Sequence, residues 1–191
     1  MKLLHIDSSI MGDKSVSRQL TADIVDRLKQ ENGAIDITYY DLDKEPFAFL
    51  SSAAFANEAE QAKGEKAVHE FLAADVVVIG APMYNFSVPA QLKSWIDRVA
   101  VAGKTFEYTE NGSRGLAGGK RVIVASTRGG YYNQESGLSA LDHQESYLKT
   151  IFGFFGIDIV EFIRAEGVAV SPENAEKSIV AAKEDIRNLA A

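Results

Sequence analysis

Val76-Val77-Val78-Ile79-Gly80-Ala81-Pro82-Met83-Tyr84-Asn85-Phe86 opens with four β-branched residues in succession and closes on glycine, proline, aromatics and an amide. An apolar run this short, without polar alternation and ended by turn residues, predicts a strand buried on both faces. Such strands belong to parallel sheets covered by helices. Comparable runs occur at residues 3–6, 35–40, 122–125 and 159–163.

Helical patterns fill the intervals. Leu20, Ile24, Val25 and Leu28 form one apolar stripe, stopped by Asn32-Gly33. Leu92, Trp95, Ile96 and Val99 form another within 88–101, and Tyr147, Leu148, Ile151, Phe152 and Phe155 a third that ends near Gly156. A last helix follows Pro172, and the Ala- and Glu-rich stretch 51–66 reads as helical too. Strand and helix in alternation predict an α/β fold, a doubly wound five-stranded parallel sheet with helices on both faces. Residues 104–120 stand outside the alternation and read as a small hairpin excursion turning at Asn111-Gly112.

The bulk numbers narrow the function. A chain of 191 residues with 46% hydrophobic content suits one domain over residues 1–191. A net charge of -7 argues against nucleic acid and anionic membrane as partners. The absence of cysteine removes thiolate chemistry and thiolate metal sites, so redox chemistry would come from a bound cofactor. The apolar run at the start is too short for a signal segment and none elsewhere is long enough to span a membrane, which predicts a cytoplasmic protein.

In an open parallel sheet, ligands bind beyond the carboxyl ends of the strands where the strand order reverses. Three loops qualify. Asp7-Ser8-Ser9 through Ser15-Val16-Ser17 places hydroxyls before a helix N-terminus, where a phosphate monoester or an ordinary serine cap fits equally. Neither G-x-x-x-x-G-K-[ST] nor G-x-G-x-x-G is present there. Met83-Tyr84-Asn85-Phe86 offers apolar surface and an amide to a planar heteroaromatic ring. Thr127-Arg128-Gly129-Gly130 lets the backbone come close to a ring edge and offer N–H groups to it.

Together with Thr105-Phe-Glu-Tyr-Thr-Glu-Asn-Gly112 and Phe154-Phe155-Gly156-Ile157, these loops resemble the bacterial FMN-dependent NADH:azoreductase family, a branch of the flavodoxin-like NADH:quinone oxidoreductases. The resemblance covers essentially the whole chain. It implies non-covalent FMN, with phosphate contacts at Ser9, Ser15, Val16 and Ser17. It also implies isoalloxazine contacts at Met83, Tyr84, Asn85, Phe86, Thr127, Arg128, Gly129 and Gly130. The same carry-over makes a homodimer and places Tyr108, Tyr131 and Phe152 in the substrate pocket, although Phe152 also fits a core stripe. Where some members carry a histidine after the glycine pair, this chain has Tyr131-Tyr132.

The implied reaction is a ping-pong hydride transfer from NADH or NADPH through FMN to quinones, by two electrons, and to azo compounds, cleaved to two amines. The chemistry resides on the cofactor, so no side chain is named as catalytic and no metal is expected. A flavodoxin-type electron carrier is the alternative. A phospho-receiver lacks its acidic cluster, since the third strand ends Gly80-Ala81-Pro82. A serine hydrolase would need a final glycine after Ser139, which instead reads as a residue at a helix start. His143 lies nearest the expected pocket among the histidines His5, His69 and His143.

Overall fold

The computed structural model describes residues 1–189, so Ala190 and Ala191 of the expected span fall outside the described residues. In chain order the elements are β1 (Lys2–Asp7), α1 (Val16–Asn32), β2 (Asp36–Asp41), α2 (Ser52–Ala56), α3 (Glu58–Ala73), β3 (Val76–Pro82) and α4 (Ala90–Val99). There follow β4 (Phe106–Thr109), β5 (Gly112–Gly115), β6 (Arg121–Thr127), α5 (His143–Phe154), β7 (Ile159–Ala165) and α6 (Pro172–Arg187).

The main sheet runs β2-β1-β3-β6-β7 and is parallel throughout. From β1 the chain goes outward to β2, and from β3 it goes the other way to β6 and β7, so the order reverses between β1 and β3. Pro82, Thr127 and Ala165 sit in register at the carboxyl ends, and Asp7 pairs with Gly80 two residues earlier. The loops after β1, β3 and β6 therefore leave the sheet along one rim.

Alternate residues of the buried strands feed two cores. Val77 and Ile79 of β3 point into a core with Leu92, Trp95, Phe71, Leu148 and Phe155, beneath α3, α4 and α5. Val76 and Val78 point the other way, to Leu20, Ile24, Leu28, Ala182 and Ile186 of α1 and α6. This is why the runs read as continuous apolar sequence: neither face meets water.

The expected helix over 51–66 is two helices. Asn57 ends α2, and its side chain accepts the Glu60 N–H at 3.1 Å to cap α3. A capping amide inside an Ala- and Glu-rich segment competes with helix continuation. The excursion is an antiparallel β4–β5 hairpin. It is seated against the end of α5 by backbone contact: a Cβ on Gly115 would lie 2.1 Å from the Gly156 nitrogen, and Ala117 N–H donates to the Phe155 carbonyl at 2.9 Å. Ser139 lies in a short 3₁₀ turn, and it is Asp142 that caps α5, accepting the N–H groups of Gln144 and Glu145.

Candidate functional site

The first loop leaves β1 with Ser8 Oγ donating to the Gly80 carbonyl at 2.6 Å, which pins it to β3. Ser9, Ser15 and Ser17 are all buried. Ser15 is the N-cap of α1, its Oγ accepting the Arg18 N–H at 3.3 Å, and it lies 3.1 Å from Ser17 Oγ. Cap and phosphate readings are thus compatible. The N–H groups of Val16 and Ser17 belong to the first helical turn and have no preceding carbonyl to bind, at the positive end of the helix dipole.

The second loop is a two-residue turn. Tyr84 and Ser87 exchange N–H to carbonyl bonds of 3.0 and 3.1 Å, and the residues between them, Asn85 and Phe86, have φ of 49° and 70°. These are the non-glycine residues with positive φ among the described residues. The turn shape is one that Asn-Gly adopts easily. Asparagine tolerates it, but phenylalanine in the second place costs about 1–2 kcal/mol. Such strain persists only where surrounding contacts hold it. Here the Phe86 carbonyl accepts the His143 N–H at 3.1 Å, and the Phe86 ring stands edge-on to Tyr132 with centroids 6.0 Å apart. The Asn85 side chain is exposed and has no hydrogen-bond partner among the described residues.

The third loop is bound to the turn after β7. Arg128 N–H donates to Ala165, while the carbonyls of Arg128, Gly129 and Gly130 accept from Val168, Ala169 and Gly167, at 2.9–3.1 Å. The N–H groups of Gly129 and Gly130 have no partner among the described residues. The Arg128 side chain, 2% exposed, turns inward to Asp142 (2.9 Å), Glu166 (3.0 Å), Glu145 and Ser126 Oγ. Expected as an isoalloxazine contact, Arg128 has its side chain committed to these carboxylates and its main-chain N–H and carbonyl paired with Ala165 and Val168. Burial pushes the Glu145 carboxyl up, yet its bonds to Arg164 and the charges of Arg128, Arg164 and Lys149 outweigh that and hold it below the ordinary value. Glu166 also accepts from Tyr132 N–H and Asn133 Nδ2, each at 2.9 Å, and so fixes the chain beyond the glycine pair.

The three loops join. Ser9 Oγ lies 3.3 Å from the Tyr84 hydroxyl, which also accepts the Ile10 N–H at 3.2 Å, linking the first loop to the second. Met83 N–H donates to the Thr127 carbonyl at 2.8 Å, linking the second to the third. Met83, Asn85, Phe86, Gly129 and Tyr132 line a cavity of about 180 Å³. A groove of about 480 Å³, lined by Ile10, Tyr84, Asn85, Val88 and Tyr147, adjoins it. This donor set suits a phosphate monoester at the serine end and a flat heteroaromatic ring between the other two loops. The unpaired N–H groups of Gly129 and Gly130 and the unpaired Asn85 amide would be its polar partners, and Met83 and Phe86 would supply apolar surface.

The substrate-pocket residues fare unevenly. Phe152 has no exposed surface and packs with Phe71 and Phe155, because its helix stripe faces the core. Tyr108 is 76% exposed on the hairpin, its ring against Phe106. Tyr131 packs over Gly167, where a Cβ would lie 2.4 Å from its ring, while Tyr132 lines the cavity. Nothing in the sequence separates the two tyrosines. Glu166 likewise carries no mark in the sequence, since its partners lie over thirty positions away.

A family model described as Flavodoxin-like fold matches residues 1–190. A Bradyrhizobium diazoefficiens protein named FMN-dependent NADH:quinone oxidoreductase 2 is 51% identical, with each chain covered over 100% of its length. A solved azoreductase from Bacillus anthracis superposes with a TM-score of 0.87 at 30% identity, over 98% of this chain and 97% of that one. A Bacillus anthracis FMN-dependent NADH-azoreductase solved in complex with FMN superposes at 0.86 with 26% identity, over 100% and 99%.

Proposed function

The chain belongs to the family with the flavodoxin-like fold, and on that premise we propose that it is an FMN-dependent NADH:quinone oxidoreductase that also cleaves azo compounds. The observation that carries this reading is the meeting of three rim loops through Ser9–Tyr84 and Met83–Thr127 around one cavity. FMN, when bound there, supplies the carrier that takes a hydride from reduced nicotinamide and delivers it to the acceptor.

The protein's own part is position and electrostatics. Ser9, Ser15, Ser17 and the first turn of α1 bind the phosphate. The unpaired N–H groups of Gly129 and Gly130 would stabilise negative charge on a reduced ring, and the Asn85 amide would hydrogen-bond the ring and orient it. Tyr84 and Met83 tie the ring-side loop to its neighbours, and Tyr132 and Phe86 wall the cavity against water. The two substrates use the same place in turn, so initial-rate plots with NADH and a quinone run parallel; intersecting lines would overturn the shared place.

We read residues 1–191 as one FMN-binding domain, cytoplasmic, working as a homodimer with NADH or NADPH as reductant. The dimer is supported by apolar side chains left exposed around the rim: Ile10, Met11, Phe86 and Leu138. Tyr108, on an exposed hairpin, would reach substrate only across such an interface. No helix among the described residues is long and apolar enough to cross a membrane.

The test is the visible spectrum of the purified protein before and after anaerobic NADH. A flavin spectrum that bleaches within the mixing time supports the enzyme. A flavin that stays oxidised until a redox partner is added indicates an electron carrier, and a colourless protein that takes up no FMN removes the whole reading.

A further inference from the structure

We propose that Arg18 is a positioning residue for the phosphate end of the flavin site and determines how strongly the protein prefers FMN to riboflavin. The inference rests on the FMN reading above and concerns a residue that reading does not use.

Arg18 is the third residue of α1, and its side chain is 15% exposed. Its two terminal nitrogens carry four N–H groups, and all four are engaged. Nη1 donates to Asp41 Oδ2 at 2.9 Å and to the Tyr39 hydroxyl at 3.2 Å. Nη2 donates to Asp41 Oδ1 at 2.7 Å and to the Ser9 carbonyl at 2.8 Å. Only Nε is left, and it is buried. Asp41 is fixed in turn, its Oδ1 accepting the N–H groups of Asp43 and Lys44. A guanidinium so committed has no terminal donor for an anion.

What it does hold is the Ser9–Ile10 peptide. A trans peptide sends its carbonyl and N–H to opposite sides. With the Ser9 carbonyl held by Arg18, the Ile10 N–H points to the Tyr84 hydroxyl at 3.2 Å, which is also 3.3 Å from Ser9 Oγ. Arg18 thereby orients the one peptide that joins the serine turn to the ring-side loop. If that peptide rotated, the Ile10 N–H would leave the Tyr84 hydroxyl and a carbonyl would stand there instead, beside the Ser9 Oγ assigned to the phosphate, where its lone pairs would repel an anion. The cost falls on a flavin that carries a phosphate and spares one that does not.

The experiment is equilibrium dialysis of the full chain against FMN and, separately, riboflavin, with bound flavin counted by fluorescence, for the native protein, Arg18→Met and Arg18→Lys. Losing a hydrogen bond to a charged donor predicts FMN binding about ten- to a hundredfold weaker in Arg18→Met. Riboflavin binding stays within about twofold, since the ring-side loop keeps its Met83–Thr127 bond and its own Tyr84–Ser87 backbone pair. Arg18→Lys, which can reach Ser9 without the two-point clamp on Asp41, recovers part of the FMN preference. The phosphorus resonance of bound FMN moves toward its free position in Arg18→Met. Equal weakening of both flavins would assign Arg18 a merely structural role and overturn the proposal, as would an unchanged preference with an unmoved resonance. A native protein that binds neither flavin fails the FMN reading itself, whereas a native preference for FMN that survives in Arg18→Met fails this inference alone.

Discussion

The serine turn after β1 and the glycine turn after β6 both present main-chain N–H groups to one rim, and an arginine stands behind each. Arg18 reaches from a neighbouring helix to a carbonyl of its turn and is held chiefly by Asp41, with the Asp7 carboxylate 3.8 Å away, at a site still 15% exposed. Arg128 is itself part of its turn, 2% exposed, and is surrounded by Asp142, Glu145 and Glu166. The first brace adjusts a loop that water still reaches. The second is a buried charge cluster on which the loop, the cap of α5 and the end of β7 all depend. The same pair of chemical groups therefore serves orientation in one place and folding in the other, and burial decides which.

That contrast is most exposed at Arg128. Arg128→Met leaves three carboxylates beside an apolar side chain, and removing one partner from a buried charge cluster costs about 3–5 kcal/mol. Denaturant unfolding should show a loss of that size; a change below about 1 kcal/mol would place Arg128 in the same class as a surface ion pair. Glu166→Gln is the next test. It keeps the shape but weakens the grip on Arg128, Tyr132 N–H and Asn133, with an expected loss of about 1–3 kcal/mol. Amide exchange should speed up at Tyr132 and Asn133 while the serine turn is undisturbed, and equal acceleration at both turns would erase the distinction between them.

Between the two braces lies the strained turn. Phe86→Gly removes the left-handed phenylalanine but loosens the unfolded chain, for a net gain of about 1 kcal/mol or less. Flavin retention should fall because the cavity loses a wall. A variant both less stable and equally retentive would mean that the strain at Phe86 serves packing alone.

The last effect depends on pH. The hydrogen bonds and charge of Arg18 hold the Asp41 carboxyl down to about 2, against an ordinary 3.8. A folded value below the unfolded one stabilises the protein above the ordinary carboxylate range, and that contribution fades as the pH falls toward the lowered value. Asp41→Asn should lower stability near neutrality and flatten the profile between about pH 4 and about pH 2, so that the two proteins converge in acid. An unaltered acid limb would show that Asp41 is not held by Arg18 in solution.

Much of this was legible in order of residues alone. The runs of β1, β3 and β6 became central parallel strands because a strand covered on both faces needs nothing but apolar side chains, while β2 and β7, at the edges, keep part of their surface exposed. The helix over 51–66 was less secure, since Asn57 can cap or continue a helix and packing chose the cap. Phe152 matched a pocket and a core stripe equally, and only the face of α5 turned toward Phe71 separates them. Arg128 sat in a loop whose neighbours meet the rim, yet its side chain lies on the other side of the chain.

From composition, periodicity and loop chemistry the sequence determined the fold class, the rim that carries the site and the three segments that make it, because each of these depends on local patterns of apolar, hydroxyl and glycine residues. Only the tertiary structure decided which tyrosine faces the cavity, that Asn85 and Phe86 share a strained turn, and which carboxylates clamp Arg18 and Arg128. Those are pairings between distant parts of the chain, and a charge in sequence carries no mark of the opposite charge that folding will bring to it.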